Sequence, residues 1–520
     1  MTIISAQRRL AVTQEKAQRK SLMIRFLDGV EKVGNKLPHP FIMFVALAVG
    51  VIVLSAIFAA LKVEVLHPST AKPVVIESLV SKDGILYMFK NLIKNFVGFA
   101  PLGLVLTMML GIGLAEQVGL MNTIMKRFIM GAPKQLLVWI IFLVGICGNI
   151  ASDASVIIIP PLAGAIFYAA KRNPLVGIAI GYSATLAGFT ANLLIVGTDA
   201  LLAGITQEAA KIVNPAATVS PAVNYFFMIV STFIMTIIGV WTTGFVEKKA
   251  GPFKPKEGFA IQELTMEVSD IEKKGLRNAG IATLIYLIGV VAVLWPKTSI
   301  FRNAKGGLVP SPFLDSIIAF IFLWFVLIGV VYGRTTGVIK KGGDVAKHMT
   351  NAMKDMAGYI VLVFVIAQFV SYFNWTNMGL VLAVTLGNLL KAWNFTGIPL
   401  VIGVILFTTF VNLFIGSGSA KWALLAPVFV PMFMLLGYSP AFAQVVYRIG
   451  DSMTNNITPL MPYFPVLLGF MRRYDEDIGM GSVMSMTLPF SITFGLAWIV
   501  QIIAWMLLNL PLGPGALIRL

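Results

Sequence analysis

The stretch NLFIGSGSAKWALLAPVFVPMFMLLGYSPAFAQVVYRIGDSMTNN, residues 412–456, decides the fold of this chain. It is apolar enough to lie inside a bilayer, yet it carries polar and charged side chains that are costly to place in hydrocarbon. These are Asn412, Ser417, Ser419, Lys421, Arg448, Asp451, Asn455 and Asn456. Its glycine-serine cluster interrupts the helix, and irregular backbone at membrane depth persists only where protein buries it or where it lines a wet cavity. The stretch therefore predicts a polar binding site within the membrane.

The composition supports a membrane location for most of the chain. Of 520 residues, 58% are hydrophobic and 12% are charged, which predicts an integral membrane protein. The single cysteine, Cys147, excludes an intramolecular disulfide framework, and three histidines give no zinc-cluster pattern. The net charge of +17 lies mainly in short segments between apolar runs, so it indicates topology rather than nucleic-acid binding.

The distribution of Lys and Arg predicts an all-α topology with a cytoplasmic N-terminus in a bacterial inner membrane. Residues 1–38 are basic and lack a cleavable apolar core, so they are predicted to be a cytoplasmic tail. Nine spans are predicted at about residues 41–61, 101–121, 174–202, 225–245, 281–294, 313–332, 356–373, 441–470 and 484–510. Residues 203–222 are predicted to lie outside the membrane. A cytoplasmic linker, 247–277, separates a first repeat (39–246) from a connecting span with an outer loop (278–312) and a second repeat (313–520).

Two interrupted apolar runs predict re-entrant hairpins. Residues 135–171 are broken by GNIASDAS and have basic residues on both flanks, and each arm is too short for a full span. Residues 398–440 are broken by GSGS in the same way. Each hairpin precedes a broken span, with AGFTAN (187–192) in the first repeat and TNNITP (454–459) in the second. Because the first hairpin is predicted to open inward and the second outward, the sequence predicts an inverted-repeat transporter with two opposed hairpins.

Several charged and aromatic residues are each open to two interpretations. Arg448 and Asp451 are three residues apart and can pair with each other on a helix. Alternatively, Arg448 binds a substrate carboxylate by its planar fork while Asp451 serves a coupling ion. Asp153 either serves the coupling ion or caps a half-helix. Asp199 is either a transport residue or a hydrated carboxylate near the outer end of its span, and Trp422 either stacks on a substrate or packs in the core.

The role assigned to Lys421 distinguishes a carrier from a hydrolase. It can neutralise Asp451, bind the substrate, or act as a base for Ser417 in a serine-lysine hydrolase. A hydrolase gives no reason for the duplicated hairpin, and a passive channel does not need broken helices that hold charges at midplane. We therefore predict a carrier and not an enzyme. In a carrier, the hairpin tips offer helix N-terminal amides and the hydroxyls of Ser152 and Ser419 to an anionic group.

Specific motifs extend this interpretation to a family. They are NKLPHPF (35–41), KNFVGFAPLG (94–103), SDASVIIIPP (152–161), GFTANLLIV (188–196), LLAGIT (201–206), FNWTNMG (373–379), GSGSAKWALLAPVFVPMFMLLG (416–437), YRIGDS (447–452) and LPLGPG (510–515). Through them the sequence resembles the AbgT family of p-aminobenzoyl-glutamate transporters over nearly its whole length. The resemblance implies nine spans, two opposed hairpins, and a homodimer with a central bowl and a transport core in each protomer. It also implies that the substrate is an aromatic amide of glutamate or, in some members, an exported sulfonamide.

The resemblance also assigns residues. Asp199, Ser419, Trp422, Pro440, Arg448 and Asp451 are implied for transport, and Asn412, Gly416, Asp451 and Asn455 are implied to hold Na⁺. Arg448 would meet the glutamate carboxylates, Trp422 the aminobenzoyl ring, and Pro440 would hinge the hairpin into the broken span. We add Ser152 and Asn192 as substrate-binding candidates and Asp153 as a coupling-ion candidate. The expected drive is the proton motive force, sodium or both, with no organic cofactor and no nucleic-acid partner.

Overall fold

A computed structural model describes residues 38–66, 72–189, 191–253, 268–458, 460–461 and 463–520, without the side chains of Ser152 and Asp153. The predicted cytoplasmic tail therefore lies almost wholly outside the described residues. The same holds for residues 254–267 of the predicted linker and for Thr190 and Pro459 of the two predicted breaks.

The first half of the chain is helical apart from one short hairpin of strands. Its elements are α1 (Pro40–Ala60), β1 (Glu64–Leu66), β2 (Pro73–Val75), α2 (Lys82–Val97), α3 (Ala100–Gln117), α4 (Leu120–Met130), α5 (Leu137–Cys147), a 3₁₀ turn (Gly148–Ala151), α6 (Ser152–Ala169), α7 (Pro174–Leu186), α8 (Gly197–Ala210) and α9 (Tyr225–Ala250). Strands β1 and β2 pair antiparallel, with Val65 opposite Val74.

The elements that the structure describes in the second half are all helices. They are α10 (Asp270–Leu294), α11 (Pro312–Asp315), α12 (Ile317–Thr336), α13 (Gly342–Asp355), α14 (Ala357–Trp375), α15 (Met378–Ala392), α16 (Ile398–Asn412), α17 (Gly418–Leu435), α18 (Pro440–Ser452), α19 (Phe464–Arg472) and α20 (Met480–Leu508).

Many of these helices have the length and composition of membrane spans. Within the described ranges, eight helices are long and apolar enough to cross a bilayer. Helices α5, α6, α7, α15 and α16 are apolar but shorter, and four of them belong to the predicted hairpins and the first broken span. The mainly helical architecture is thus confirmed, whereas the count of nine spans and the re-entrant course of the hairpins stay predictions.

The same order of elements occurs in both halves. A pair of helices joined by a short break (α5 with α6, α16 with α17) is followed by a helix that stops and resumes (α7 with α8, α18 with α19). The second hairpin resumes where the side chain of Ser417 accepts a hydrogen bond from the backbone N–H of Ala420 at 3.3 Å and caps α17. Prolines at 160, 161, 427 and 431 lie inside the second helix of each pair.

The predicted outer segment 203–222 begins as a packed helix, while its place outside the membrane stays a prediction. Residues 203–210 continue α8, and Ala203, Ala209 and Ala210 are buried. A Cβ added to Gly204 would lie 2.9 Å from the Cα of Pro101, so a small residue lets α8 pack closely on α3. The polar residues at the end of this helix resemble a loop in sequence, which is why the pattern was misleading.

The predicted linker 247–277 is too long at both ends. Helix α9 continues to Ala250, and α10 already begins at Asp270. That start is fixed by a capping box in which Ser269 accepts from the N–H of Glu272, while the Glu272 carboxylate accepts from the N–H of Ser269 at 2.8 Å. The polar composition of these helix ends therefore reflects capping and solvation rather than a loop.

The helices pack in two groups. In the first group α3 contacts α12 and α13, α12 contacts α10, and α14 contacts α1 and α2. In the second, α7 contacts α5, α6, α9 and α20, while α18 contacts α16, α17 and α20. Helix α8 joins them, because it packs on α3 of the first group and on α17 and α18 of the second. The polar residues singled out from the sequence lie where α8 meets the second group.

Candidate functional site

Two buried ion pairs form the centre of the candidate site. Arg448 Nη1 lies 2.7 Å from Asp199 Oδ1, and Lys421 Nζ lies 2.6 Å from Asp451 Oδ1. Each of the four side chains is at most 6% exposed. Burial of ions is tolerated only where each charge is compensated, so the pairing explains how these charges stay inside an apolar helical protein.

Asp199 connects the first half of the chain to the second. It is in the first turn of α8, where its Oδ2 accepts a hydrogen bond from the N–H of Val196 at 2.8 Å. Its other oxygen pairs with Arg448 of α18. A carboxylate is favoured at this end of a helix by the exposed N–H groups and the helix dipole. Asp199 is 0% exposed, so the interpretation as a hydrated carboxylate is wrong.

The two charged residues of YRIGDS have different partners. The described ion pairs join Arg448 to α8 and Asp451 to α17, so the alternative of an ion pair between Arg448 and Asp451 is wrong. Their spacing on α18 directs one toward the first half of the chain and the other toward the second hairpin. The two candidate roles, anion binding and cation binding, are thus physically separated on one helix.

Lys421 holds the break of the second hairpin together. Its Nζ donates to Asn412 Oδ1 and to the carbonyl of Ile415 at 3.2 Å, besides its ion pair with Asp451. Of the three roles open for Lys421 in the sequence, the structure shows neutralisation of Asp451. Ser417 caps α17 instead, and its Oγ lies 3.4 Å from Ser419 Oγ. The contacts described for Lys421 are therefore not those of a serine-lysine dyad.

Asn412 forms hydrogen bonds with other residues implied for sodium binding. Its Nδ2 donates to the carbonyl of Asp451 at 2.6 Å, to Thr454 Oγ1 at 3.0 Å and to Asn455 Oδ1 at 2.8 Å. The predicted set of Asn412, Asp451 and Asn455 is thus brought together. In place of a carbonyl from Gly416, the carbonyl that accepts from the Lys421 ammonium belongs to the preceding residue, Ile415. Asn412 Oδ1, Asn455 Oδ1 and Asp451 Oδ1 already face Lys421, Asn412 or Tyr447 donors, so the arrangement does not fit Na⁺ beside the Lys421 ammonium.

The breaks of the two halves meet behind these pairs. Asn455 Nδ2 donates to the carbonyl of Leu186 at 3.4 Å, at the end of α7. Asn456 Nδ2 donates to Ser183 Oγ at 3.1 Å, and its Oδ1 accepts from Ser491 Oγ at 2.5 Å. Asparagines of the second break therefore satisfy backbone and hydroxyl groups of the first repeat, which makes the two interruptions one polar centre.

Trp422 is a packed residue in this conformation. It is 0% exposed, and its ring stacks on Tyr447 with centroids 4.4 Å apart. Its Nε1 donates to Thr206 Oγ1 at 2.9 Å, and that hydroxyl lies 2.6 Å from Gln444 Oε1. The arrangement supports a positioning role for the indole between α8 and α18. Direct stacking of Trp422 on an aminobenzoyl ring would require Tyr447 or the substrate path to move.

The remaining candidate residues differ in their burial and in their distance from the polar centre. Asn192 is 1% exposed, with its Oδ1 accepting from the N–H of Leu193 at 2.9 Å and its Nδ2 lacking a described partner. Ser419 is partly exposed at the start of α17. Pro440 begins α18, roughly 16 Å along the helix from Asp451 at 1.5 Å per residue, so it belongs to the hairpin connection and not to the polar centre. The side chains of Ser152 and Asp153 are outside the described structure.

Two side chains of the site are missing from the predicted set. The hydroxyl of Tyr447 donates to the carbonyl of Gly418 and lies 3.3 Å from Asp451 Oδ1. Its position four residues before Asp451, on one face of α18, is a signal that could have identified it. Thr206 had no such signal, because its segment was expected outside the membrane.

Comparison with known proteins agrees with this geometry. A model of the AbgT putative transporter family matches residues 25–520. The chain belongs to this family. It is 40% identical over 493 residues to the p-aminobenzoyl-glutamate transport protein of Escherichia coli strain K12, covering 94% of this chain and 96% of that protein. The AbgT resemblance inferred from the motifs is thereby confirmed.

Two solved AbgT-type transporters share the fold. The YdaH transporter of Alcanivorax borkumensis, described as having an unusual topology, superposes with a TM-score of 0.87 at 38% identity, covering 92% of this chain and all of that one. MtrF of Neisseria gonorrhoeae, described with a class of antimetabolite efflux pumps, gives a TM-score of 0.90 at 39% identity, covering 94% of this chain and all of MtrF. The chain is therefore a membrane-spanning transporter of the AbgT type.

Proposed function

We propose that this protein is a secondary active transporter that moves p-aminobenzoyl-glutamate or a related aromatic folate catabolite across the bacterial inner membrane. The observation that carries the proposal is the paired charge cluster where the broken helices of both halves meet. The E. coli relative named for p-aminobenzoyl-glutamate transport supports the substrate class. The proposal includes a cytoplasmic N-terminus, nine spans, two opposed re-entrant hairpins and a homodimer with one transport core in each protomer.

Arg448 is the anion-binding residue in this proposal. A guanidinium presents a planar set of donors that matches a carboxylate, and the glutamate part of the substrate carries two carboxylates. Arg448 is paired with Asp199, so a substrate carboxylate competes with Asp199 for the same cation. The buried Nδ2 of Asn192 and the N-terminal amides of α17 near Ser419 are further donors for an anionic or carbonyl group.

This competition gives a physical route from binding to movement. Asp199 lies on α8, which contacts both groups of helices, and Arg448 lies on α18 within the second group. A substrate that takes Arg448 away from Asp199 weakens a contact between α8 and the second group. A ligand changes a conformational equilibrium only through such a difference in affinity between states. We propose that the proton motive force supplies the drive.

A second candidate function is proton-driven efflux of sulfonamide antimetabolites. The specific support is the fold shared with MtrF, which is described among antimetabolite efflux pumps. A sulfonamide resembles the aminobenzoyl part of the first substrate and lacks the glutamate carboxylates. Its transport would therefore depend on the aromatic side of the site and much less on Arg448.

Transport assays with Arg448→Ala test the proposal. We expect purified wild-type protein in liposomes to exchange labelled p-aminobenzoyl-glutamate, and Arg448→Ala to lose about 100-fold or more of that rate, because a charge-assisted carboxylate contact disappears. Arg473→Ala is the matched control, since Arg473 is exposed and stacks on Phe470. Normal exchange by a folded Arg448→Ala variant would refute the role of Arg448. Transport of a sulfonamide but not of p-aminobenzoyl-glutamate by the wild type would establish the second candidate instead.

A further inference from the structure

The oxygens implied for sodium binding surround a lysine in this chain. We propose that the ammonium group of Lys421 is a built-in cation that takes the place of bound Na⁺, so that this carrier neither binds nor requires Na⁺. The inference rests on the proposed function only in treating the site as part of a carrier. Whether Na⁺ binds is measurable without any transport.

The contacts of Lys421 resemble those of a bound cation. Its Nζ has three oxygen neighbours from three segments: the Asp451 carboxylate at 2.6 Å, the Ile415 carbonyl at 3.2 Å, and the Asn412 amide oxygen. A carboxylate, a main-chain carbonyl and an amide oxygen are the types of ligand that hard metal cations take in proteins. The ammonium also lies just past the end of α16, where the helix dipole and the last carbonyls favour positive charge.

The side-chain amide of Asn412 is oriented toward the Lys421 ammonium, and this orientation does not suit an additional metal ion. Its Nδ2 faces three acceptors, on Asp451, Thr454 and Asn455, so its oxygen must face Lys421. The Oδ1 of Asn455 and the main-chain oxygen of Asp451 both accept from this amide. Na⁺ would have to displace the ammonium and also turn the amide to recover these oxygens.

The charge balance of the site supports the same conclusion. Among the side chains that the structure describes here, two carboxylates, Asp199 and Asp451, face two cations, Arg448 and Lys421. Adding Na⁺ to this nearly fully buried set would leave one positive charge without a described counterpart, and an uncompensated buried charge is strongly unfavourable.

Thermal unfolding of the purified protein in lipid nanodiscs tests the proposal. We expect the wild type to unfold at the same temperature in NaCl and in choline chloride of equal concentration. In Lys421→Gln the carboxylate and carbonyl oxygens lose their cation, so about 100 mM NaCl should raise the unfolding temperature by about 2 °C or more over choline chloride. Lys391→Gln is the matched control, because Lys391 is an exposed lysine whose Nζ lies 3.4 Å from the carbonyl of Leu435.

The double variant Lys421→Gln/Asp451→Asn separates binding from a general effect of salt. It removes the cation and the carboxylate together, so we expect no response to Na⁺. A sodium-dependent shift in the wild type, or a folded Lys421→Gln variant that ignores Na⁺, would overturn the proposal. A Lys421→Gln variant that folds in NaCl but not in choline chloride would support the proposal. If Lys421→Gln is unfolded in both salts, the test is the unfolding temperature of the wild type. A higher temperature in NaCl than in choline chloride overturns the proposal, and equal temperatures support it.

A failure of the p-aminobenzoyl-glutamate assay leaves these unfolding measurements unaffected, because they involve no substrate. Conversely, a sodium response in the wild type would overturn the role of Lys421 and leave the substrate assignment intact. The two proposals are thus tested by separate measurements on the same preparation.

Discussion

The two halves of the chain repeat an architecture but not its chemistry. In both, a pair of helices joined by a break precedes a helix that stops and resumes. Among the described side chains the charges are distributed unequally, because the second half contributes Lys421, Arg448 and Asp451 to the buried ion pairs, whereas the first contributes Asp199. The repeat brings two helix interruptions together. The unequal charges give the site one ion pair between the two halves, Arg448 with Asp199, and one within the second half, Lys421 with Asp451.

The largest expected effect comes from breaking the pair within the second half. Asp451→Asn leaves the Lys421 ammonium buried without its carboxylate, and removal of one partner of a buried ion pair typically costs about 3–5 kcal/mol. We expect the free energy of unfolding, measured by denaturant titration in detergent, to fall by that amount. Lys421→Gln/Asp451→Asn should recover most of it, because the unpaired charge is gone. A double variant as unstable as the single one would contradict this explanation.

A smaller effect is expected at the pair between the halves. Asp199→Asn can still accept from the N–H of Val196, so the start of α8 should persist, but it releases Arg448 from its carboxylate. Since Asp199 competes with the substrate in our proposal, the Kd for p-aminobenzoyl-glutamate should fall about tenfold, equivalent to about 1.4 kcal/mol. The rate of exchange should fall as well, because the contact that distinguishes the states is lost.

Equilibrium binding of labelled substrate to the purified Asp199→Asn variant measures that Kd. Asp270→Asn is the matched control, since Asp270 is an exposed first-turn aspartate of α10 that pairs with Lys273. An unchanged or higher Kd in a folded Asp199→Asn protein would mean that Asp199 does not compete with the substrate.

The smallest effect on substrate binding is expected at the contact that positions Trp422. Thr206→Val keeps the side-chain shape but removes the oxygen that accepts from Trp422 Nε1. Loss of the buried hydroxyl, which also donates to Gln444 Oε1 and to the carbonyl of Leu202, should lower the free energy of unfolding by about 1–3 kcal/mol and leave the substrate Kd nearly unchanged. Thr350→Val on the exposed side of α13 is the control. A large loss of substrate affinity would instead indicate that the indole contacts the substrate directly.

The sequence predicted the parts of the site that are local. Polar groups inside an apolar run are costly, so Asn412, Asp451 and Asn455 stood out without any knowledge of their partners. The hairpin breaks were visible for a similar reason, because glycine and serine interrupt runs that are otherwise strongly helical. Helix spacing then placed Arg448 and Asp451 on one helix, although it left open a pair between them that the structure does not have.

What the sequence did not reveal depends on distant contacts. The partner of Arg448 is Asp199, which belongs to the other half of the chain, and no local pattern connects them. The burial of Asp199 follows from the close packing of α8, whose polar end resembles a loop in sequence. Lys421 had three chemically reasonable partners, and only the approach of α16, α17 and α18 selects Asp451 among them.

The equal number of acidic and basic groups in the core affects its response to voltage. With both described pairs ionised, these four side chains sum to zero, so they carry no net charge through the membrane field when an unloaded core changes orientation. A glutamate amide with two ionised carboxylates adds two negative charges, and each costs or releases about 2.3 kcal/mol per 100 mV when it crosses the whole field. The charges of the substrate therefore add electrical work to the loaded half of the cycle, and recordings of substrate-induced current would report that contribution.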